Sequence, residues 1–323
     1  MDYQGTRVVQ GKTYTETVPT IAENSSGFTN MQDLVSLQKE TKTDALGRVF
    51  PSGTVFDPAT TRTITAGRAD PVSGIVATTS GQVRDPFYQG SVSGITNFTG
   101  PLNEALLNQI PAGRLNPAAV ALLKLYPAPQ SSGLTNNYTT NPAATTNIDS
   151  ADVRLDQVFG AQDSGFVRYS FVYNNQFQPS PFPGVADGAP PRPGSGHSES
   201  QNIAGSETHI FSPRLVLEAR VGYSRVADER RQFDANVLGI PAQYGIPGVP
   251  QLPTNGGLPL FSFGILSNLG AAGTLPSDKA SDILQATGNL HRSRTQPDSR
   301  GHGIPAHRHP HPHPDCFQGQ LYG

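Results

Sequence analysis

Along residues 151–226, apolar and polar residues alternate with a period of two, which puts successive side chains of an extended strand on opposite faces. In residues 165–175, Val167, Tyr169, Phe171 and Tyr173 share one face, and Arg168 and Ser170 share the other. In residues 214–225, Leu215, Leu217, Ala219, Val221 and Tyr223 oppose Glu218, Arg220, Gly222 and Ser224. Residues 151–159 set Val153 and Leu155 against Arg154 and Asp156, and residues 280–290 alternate Ile283 with Asp282. Residues 3–18, with Val8, Tyr14, Thr15 and Val18, read as one more strand, and the pattern predicts about six strands in all. Strands of about 9 to 11 residues with one apolar and one polar face fit a transmembrane β-barrel. A soluble antiparallel sheet packed on a core shows the same alternation.

Connection lengths weigh on that choice. Residues 159–165 and 211–214 are short turns, whereas residues 174–200 and 228–278 are long and rich in Pro and Gly. Short turns at one end and long loops at the other are the arrangement of bacterial barrels. A compact soluble domain rarely carries structureless loops of that length. The fold class expected is therefore all-β: a partial antiparallel transmembrane β-barrel with long Pro/Gly-rich loops and one short loop helix. Residues 1–290 form the barrel portion. Within it, residues 22–145 are a long, partly ordered external loop region without a period, residues 151–226 are strand hairpins, and residues 228–278 are a second external loop. The helix rests on Leu115, Ala118, Ala119, Leu122, Leu123 and Tyr126 at helical spacing, with Asn116-Pro117 to start it and Pro127 to stop it.

Composition narrows the class further. The chain has 323 residues, with 34 Gly and 29 Pro, and only 15% of it is charged. No run of 18 apolar residues is present, so no helix spans a bilayer. A hydrophobic fraction of 35% is low for a soluble core of this size and suits strands that are apolar on one face only. A net charge of −2 with scattered basic residues leaves no footprint for nucleic acid. The single cysteine, Cys316, excludes a disulfide framework and a thiolate metal site. The opening residues lack a signal-peptide pattern, so a longer exported protein is the expected parent.

Candidate chemistry is sparse. No nucleophile elbow, P-loop, dinucleotide glycine fingerprint or zinc-protease motif occurs, and neither an enzyme nor a cofactor is expected. Ser195 and His197 lie close in sequence within a Pro-Gly loop that gives a nucleophile no support. Glu207 and His209 fall on one strand face and read as a solvated lumenal surface. Residues 228–231, Asp-Glu-Arg-Arg, read as a strand end reaching the aqueous boundary. After Leu290 the character changes, with six of the eight histidines and the run His309-Pro310-His311-Pro312-His313-Pro314. Clustered histidines can bind metal, but alternating prolines spread the imidazoles. Shifting the frame by one nucleotide over residues 302–322 permits a different, Thr-Pro-rich peptide that opens like a strand. A frameshift near residues 290–292 then accounts for residues 291–323 as an out-of-frame or disordered tail.

Several segments taken in order resemble the TonB-dependent outer-membrane receptors of the Oar-like type. They are residues 2–7 (DYQGTR) with 17–20 (TVPT), 56–61 (FDPATT), 84–87 (RDPF), 110–117 (IPAGRLNP) with 122–129, and 166–170 (FVRYS). The resemblance implies a barrel of about 22 strands closed by a plug, located in the cell outer membrane and energised by the TonB complex. It implies partners of outer-membrane lipid, TonB and a bulky nutrient such as an oligosaccharide, peptide or metal chelate. This sequence lacks a plug, a TonB box and a terminal aromatic-ending strand, so the expectation is a fragment of such a receptor. No binding residue carries over, because the family's substrate contacts are not a fixed motif. The rival expectation is a secreted β-rich binding or adhesion module.

Overall fold

The computed structural model describes residues 1–37, 40–189, 194–293 and 318–321. The strands in chain order are β1 (Asp2–Gly11), β2 (Tyr14–Glu16), β3 (Thr41–Thr43), β4 (Val49–Pro51), β5 (Arg62–Ile64) and β6 (Gly81–Val83). They continue with β7 (Tyr138–Thr140), β8 (Ala143–Val158), β9 (Asp163–Gln178), β10 (Gly194–Ser212), β11 (Leu215–Arg231), β12 (Ser277–Arg292) and β13 (Gln318–Leu321). One seven-stranded antiparallel sheet, ordered β1-β8-β9-β10-β11-β12-β13, dominates the architecture. Six of its strands are long, and the four residues of β13 pair with Ala286 to Asn289 at the edge. Each long strand neighbours its predecessor in the chain except β8, which pairs with β1 across the whole of residues 12–142.

The alternation along each strand sets the register. Val167 lies opposite Leu155 on one side and Gly205 on the other, and Gly205 lies opposite Val221, which lies opposite Ala286. A shift by one residue would turn every apolar side chain to the polar face, so the pattern fixes the pairing. The strands run further than the alternation alone predicts: β8 begins at Ala143, β9 reaches Gln178, and β10 begins at Gly194. Residues 143–145, 228–231 and 277–278 are therefore strand rather than loop. At the start of β10, Gly194 sits at φ 81°, and a Cβ there would collide with the Arg231 carbonyl oxygen. Only glycine fits this crossing.

One placement differs from expectation. Ile283 lies opposite Ser224 on the polar face, and Leu284, opposite Tyr223, belongs to the apolar one. Two adjacent aliphatic residues leave the phase of a strand open, and the pairing with β11 decides it.

Residues 22–145, expected as a partly ordered loop, are folded. The hairpins β3–β4 and β5–β6 and short helices at Ile21–Ser25, Asp33–Ser36 and Pro101–Glu104 occupy this stretch, together with the expected helix, which spans Pro117–Leu123. A fifth helix, Ile240–Gln243, lies in the second long connection, so the expectation of one loop helix is too low. Elements of three to five residues are too short to display a period, which is why the pattern missed all but the Pro117–Leu123 helix. Thr20 and Glu23 form a reciprocal capping box that starts the first helix. Asn116 accepts from the backbone N–H groups of Ala118 and Ala119 to start the longest one.

Three apolar clusters hold these segments. Val35, Phe50, Phe98 and Leu107 make one, with Phe50 and Phe98 stacked at 4.8 Å. Leu46, Ile64, Ala77 and Val83 make the second. The third draws on all three long connections: Val18, Leu122 and Tyr126 from residues 12–142, Phe182 and Ala186 from 179–189, and Ile240, Leu258 and Leu269 from 232–276. Beside the second cluster, the fully buried Arg48 bonds Asp44 at 2.8 Å and Asp85 at 2.7 Å, and Arg62 bridges Asp85 and Asp70. Burial pulls the Asp85 carboxyl upward, but the Arg62 and Arg48 guanidiniums outweigh it and hold it below the ordinary range. Paired in this way, the buried charges satisfy one another.

Candidate functional site

The sheet presents two chemically distinct faces. On the polar face, Arg168 donates to Asp152 at 2.7 Å and the Ser170 hydroxyl to the same carboxylate at 2.6 Å. Arg154 pairs with Asp156 at 2.8 Å while lying 3.9 Å over the Phe166 ring. Arg220 donates to Glu218 at 2.9 Å. Between these charges the central strands carry small residues, with Ala204 opposite Arg168 and Gly222. This arrangement gives the face a surface of paired charges and hydroxyls separated by small residues, rich in hydrogen-bonding groups.

The other face is apolar and banded. Leu155, Val167, Ile203, Val221 and Leu284 are all exposed upon it. Towards the long connections it ends in Tyr3, Tyr169, Phe171, Tyr173 and Tyr223, and towards the short turns in Phe159 and Phe211. Charge pairs sit at the loop-side margin: Arg7 with Asp149 at 2.7 Å, Arg225 with Asp282 at 3.0 Å and Arg231 with Asp278 at 2.6 Å. At the turn side His209 pairs with Asp163. An apolar band bordered by two aromatic girdles and then by charge is the outer surface of a membrane barrel.

A sequence-family model described as an outer membrane beta barrel domain matches residues 1–296. The chain belongs to that family. Comparison with curated proteins and with solved structures gave no match. Family membership places this barrel domain in the cell outer membrane of a Gram-negative bacterium and sets aside the reading as a secreted soluble sheet. No helix among the described residues is long and apolar enough to cross a membrane, and the barrel domain crosses by strands.

The residues singled out in the sequence are placed as follows. Ser195 and His197 lie in β10 rather than in a loop. His197 Nδ1 bonds Asn175 Oδ1 at 3.0 Å, and the ring meets Tyr173 edge-on, so the imidazole is not directed at Ser195. Glu207 and His209 share a face, as expected, but it is the apolar one near its turn-side margin. Glu207 lies opposite Gly165 and Ala219. The expectation of a lumenal position fails because β10 is polar on both faces there, so its phase is set by its partners. Residues 228–231 form the charged end of β11, with Arg230 paired to Asp228 and Arg231 to Glu229. Among the described residues, no group of three His, Cys, Asp or Glu is arranged to hold a metal ion. The His-Pro run and Cys316 lie outside the described residues; of residues 291–323, expected as an out-of-frame or disordered tail, His291 and Arg292 close β12 and residues 318–321 form the edge strand β13.

Sequence reasoning missed the cap built by the three long connections. Its signal is faint in the chain: isolated aromatic and aliphatic residues such as Phe182 and Leu269 within Pro/Gly-rich stretches.

Proposed function

We propose that this outer-membrane barrel domain is part of a TonB-dependent receptor that binds and imports a bulky nutrient. The observation carrying this reading is the folded cap. Residues 12–142, 179–189 and 232–276 share one apolar core at the end of a sheet whose inner face is polar. A structured cap over a polar lumen suits selective capture of a large ligand better than passive flow of small solutes. The ordered resemblance to Oar-like receptors, over roughly residues 2–290, supports the same conclusion. In this reading the apolar face meets outer-membrane lipid, and the role is binding rather than catalysis, without a cofactor and without nucleic acid. Further strands complete the barrel, because backbone groups left unpaired at a sheet edge in hydrocarbon cost several kcal/mol each. The TonB complex supplies the energy. An oligosaccharide, a peptide or a metal chelate would be held by many weak hydrogen bonds to the polar face between Asp152 and Arg220.

The test compares accumulation of labelled oligosaccharides, peptides and ferric chelates by cells with and without this gene, each with and without TonB. Accumulation of one class lost in both deletions is the expected result. Accumulation that needs this gene but survives loss of TonB points to a passive pore and overturns the reading.

A further inference from the structure

One row of residues across the apolar face of the sheet reads Gln157, Gly165, Glu207, Ala219 and Gly288. The next row, one step further into the apolar band, reads Leu155, Val167, Gly205, Val221 and Ala286. Where side chains are missing, an open groove of about 730 Å³ runs over Gly165, Gly205 and Ala219, with Leu155, Val167 and Val221 as apolar walls. The two glycines are there for different reasons. A Cβ at Gly165 would come within 2.6 Å of the Ser206 carbonyl oxygen, so the close approach of β9 to β10 demands glycine. A Cβ at Gly205 would meet only ordinary contacts, the nearest at 3.6 Å from the Phe166 carbonyl oxygen. The backbone does not require glycine at 205, and a glycine inside a strand weakens it and often marks the close approach of a ligand.

Glu207 lines the turn-side part of this groove. Its neighbours across the strands, Gly165 and Ala219, offer no polar side chain. The cations around it are committed elsewhere: His209 pairs with Asp163, and Arg220, on the other face, pairs with Glu218. Among the described residues the Glu207 carboxylate therefore has no ion-pair partner. It stands two residues further into the band than the His209–Asp163 pair at the turn-side margin, and a charge on the lipid face becomes costlier with depth. Short turns lie on the periplasmic side of bacterial barrels, so the groove opens at the headgroups of the periplasmic leaflet and rises into hydrocarbon.

We propose that the groove binds one phospholipid of that leaflet with a primary ammonium headgroup, as in phosphatidylethanolamine. The ammonium donates a charge-assisted hydrogen bond to the Glu207 carboxylate, and an acyl chain lies over Gly205 between the Leu155, Val167 and Val221 side chains. A trimethylammonium headgroup carries the charge without an N–H to donate, and an anionic headgroup is repelled. The occupant is a lipid rather than a second protein chain because the groove belongs to the apolar band by which the barrel domain meets the membrane. The site rests on membership of the barrel family and is independent of whether TonB drives transport.

The test is native mass spectrometry of the full-length protein released from non-ionic detergent after titration with phosphatidylethanolamine, phosphatidylcholine and phosphatidylglycerol of identical acyl chains. One retained phosphatidylethanolamine, bound roughly tenfold or more tightly than phosphatidylglycerol, as for a hydrogen bond to a charged group, is the expected result. Glu207→Gln is expected to remove that preference. Gly205→Leu, which the backbone accommodates, is expected to lower retention of phosphatidylethanolamine by filling the groove. The same preference in Glu207→Gln as in wild type overturns the headgroup contact and with it the proposal. Unchanged retention in Gly205→Leu overturns the groove as the site. Equal retention of all three lipids by the wild type reduces them to ordinary surrounding lipid, and a lipid-free dimer assigns the groove to a second copy of the chain; either result overturns the proposal.

Discussion

Asp187 holds a carboxyl almost out of contact with water while its backbone sits at φ 49° and ψ −68°, close to the positive-φ γ-turn geometry that is rare outside glycine. Burial pushes the carboxyl up to about 6, the Ser180 hydroxyl pulls it back, and Asp234 adds to the rise. The folded value lies above the unfolded one of about 3.9, so the folded loop binds this proton more tightly. Its stability therefore rises as pH falls through about 6, and the gain is complete below about 4. Asp187→Asn is expected to flatten this dependence and to stabilise the loop at neutral pH, since Asn keeps the backbone conformation and cannot ionise. Amide exchange at Phe182 and Asp187, corrected for intrinsic rates, measures it. Those N–H groups bond Asp187 O and Gly184 O within the same turn, and parallel pH profiles in wild type and variant would count against the account. Nothing local marks Asp187 in the sequence, because the Asp234 charge that adds to its shift comes from a segment distant in the chain.

For the long strands, the period of two was enough to read element, face and partner class directly, since Val153, Tyr169 and Val221 each stand between polar or small neighbours. Ile283-Leu284 shows the limit: two consecutive aliphatic residues carry no phase, and only the pairing with β11 orients them. The short hairpins β3–β4 and β5–β6 were illegible for a related reason, since three residues cannot establish a repeat. Their order comes from Phe50, Phe98 and the Arg48–Asp85 pair, contacts distant in the chain. The face assignment leads to a depth-dependent expectation. Val221 lies midway in the apolar band, and Val221→Arg is expected to destabilise the sheet by about 2–4 kcal/mol in lipid. Thr287, on the polar face between Arg220 and the sheet edge, should accept arginine with little change. Urea unfolding of the full-length protein in lipid vesicles distinguishes the two substitutions, and equal losses would reverse the assignment of faces.

At the scale of the whole molecule, the cap joins connections that the sheet keeps apart. Phe182 packs edge-on against Tyr126 at 5.4 Å and beside Tyr138 at 5.8 Å, so its ring ties the 179–189 connection to the 12–142 one. Phe182→Ala is expected to cost about 3–5 kcal/mol and to open all three connections to protease together, mapped by mass spectrometry of the fragments. Cleavage confined to residues 179–189 would mean that the cap is not cooperative. The pairing of β1 with β8 has a consequence in time. The partner of β8 on its other side waits across a turn of four residues, 159–162, whereas β1 is separated from β8 by residues 12–142. On chain-closure entropy alone, joining β1 costs about 3 kcal/mol more than closing that turn. Although β1 is synthesised before β8, the zipper of hairpins from β8 onwards forms ahead of their pairing, and a strand made early waits for its neighbour.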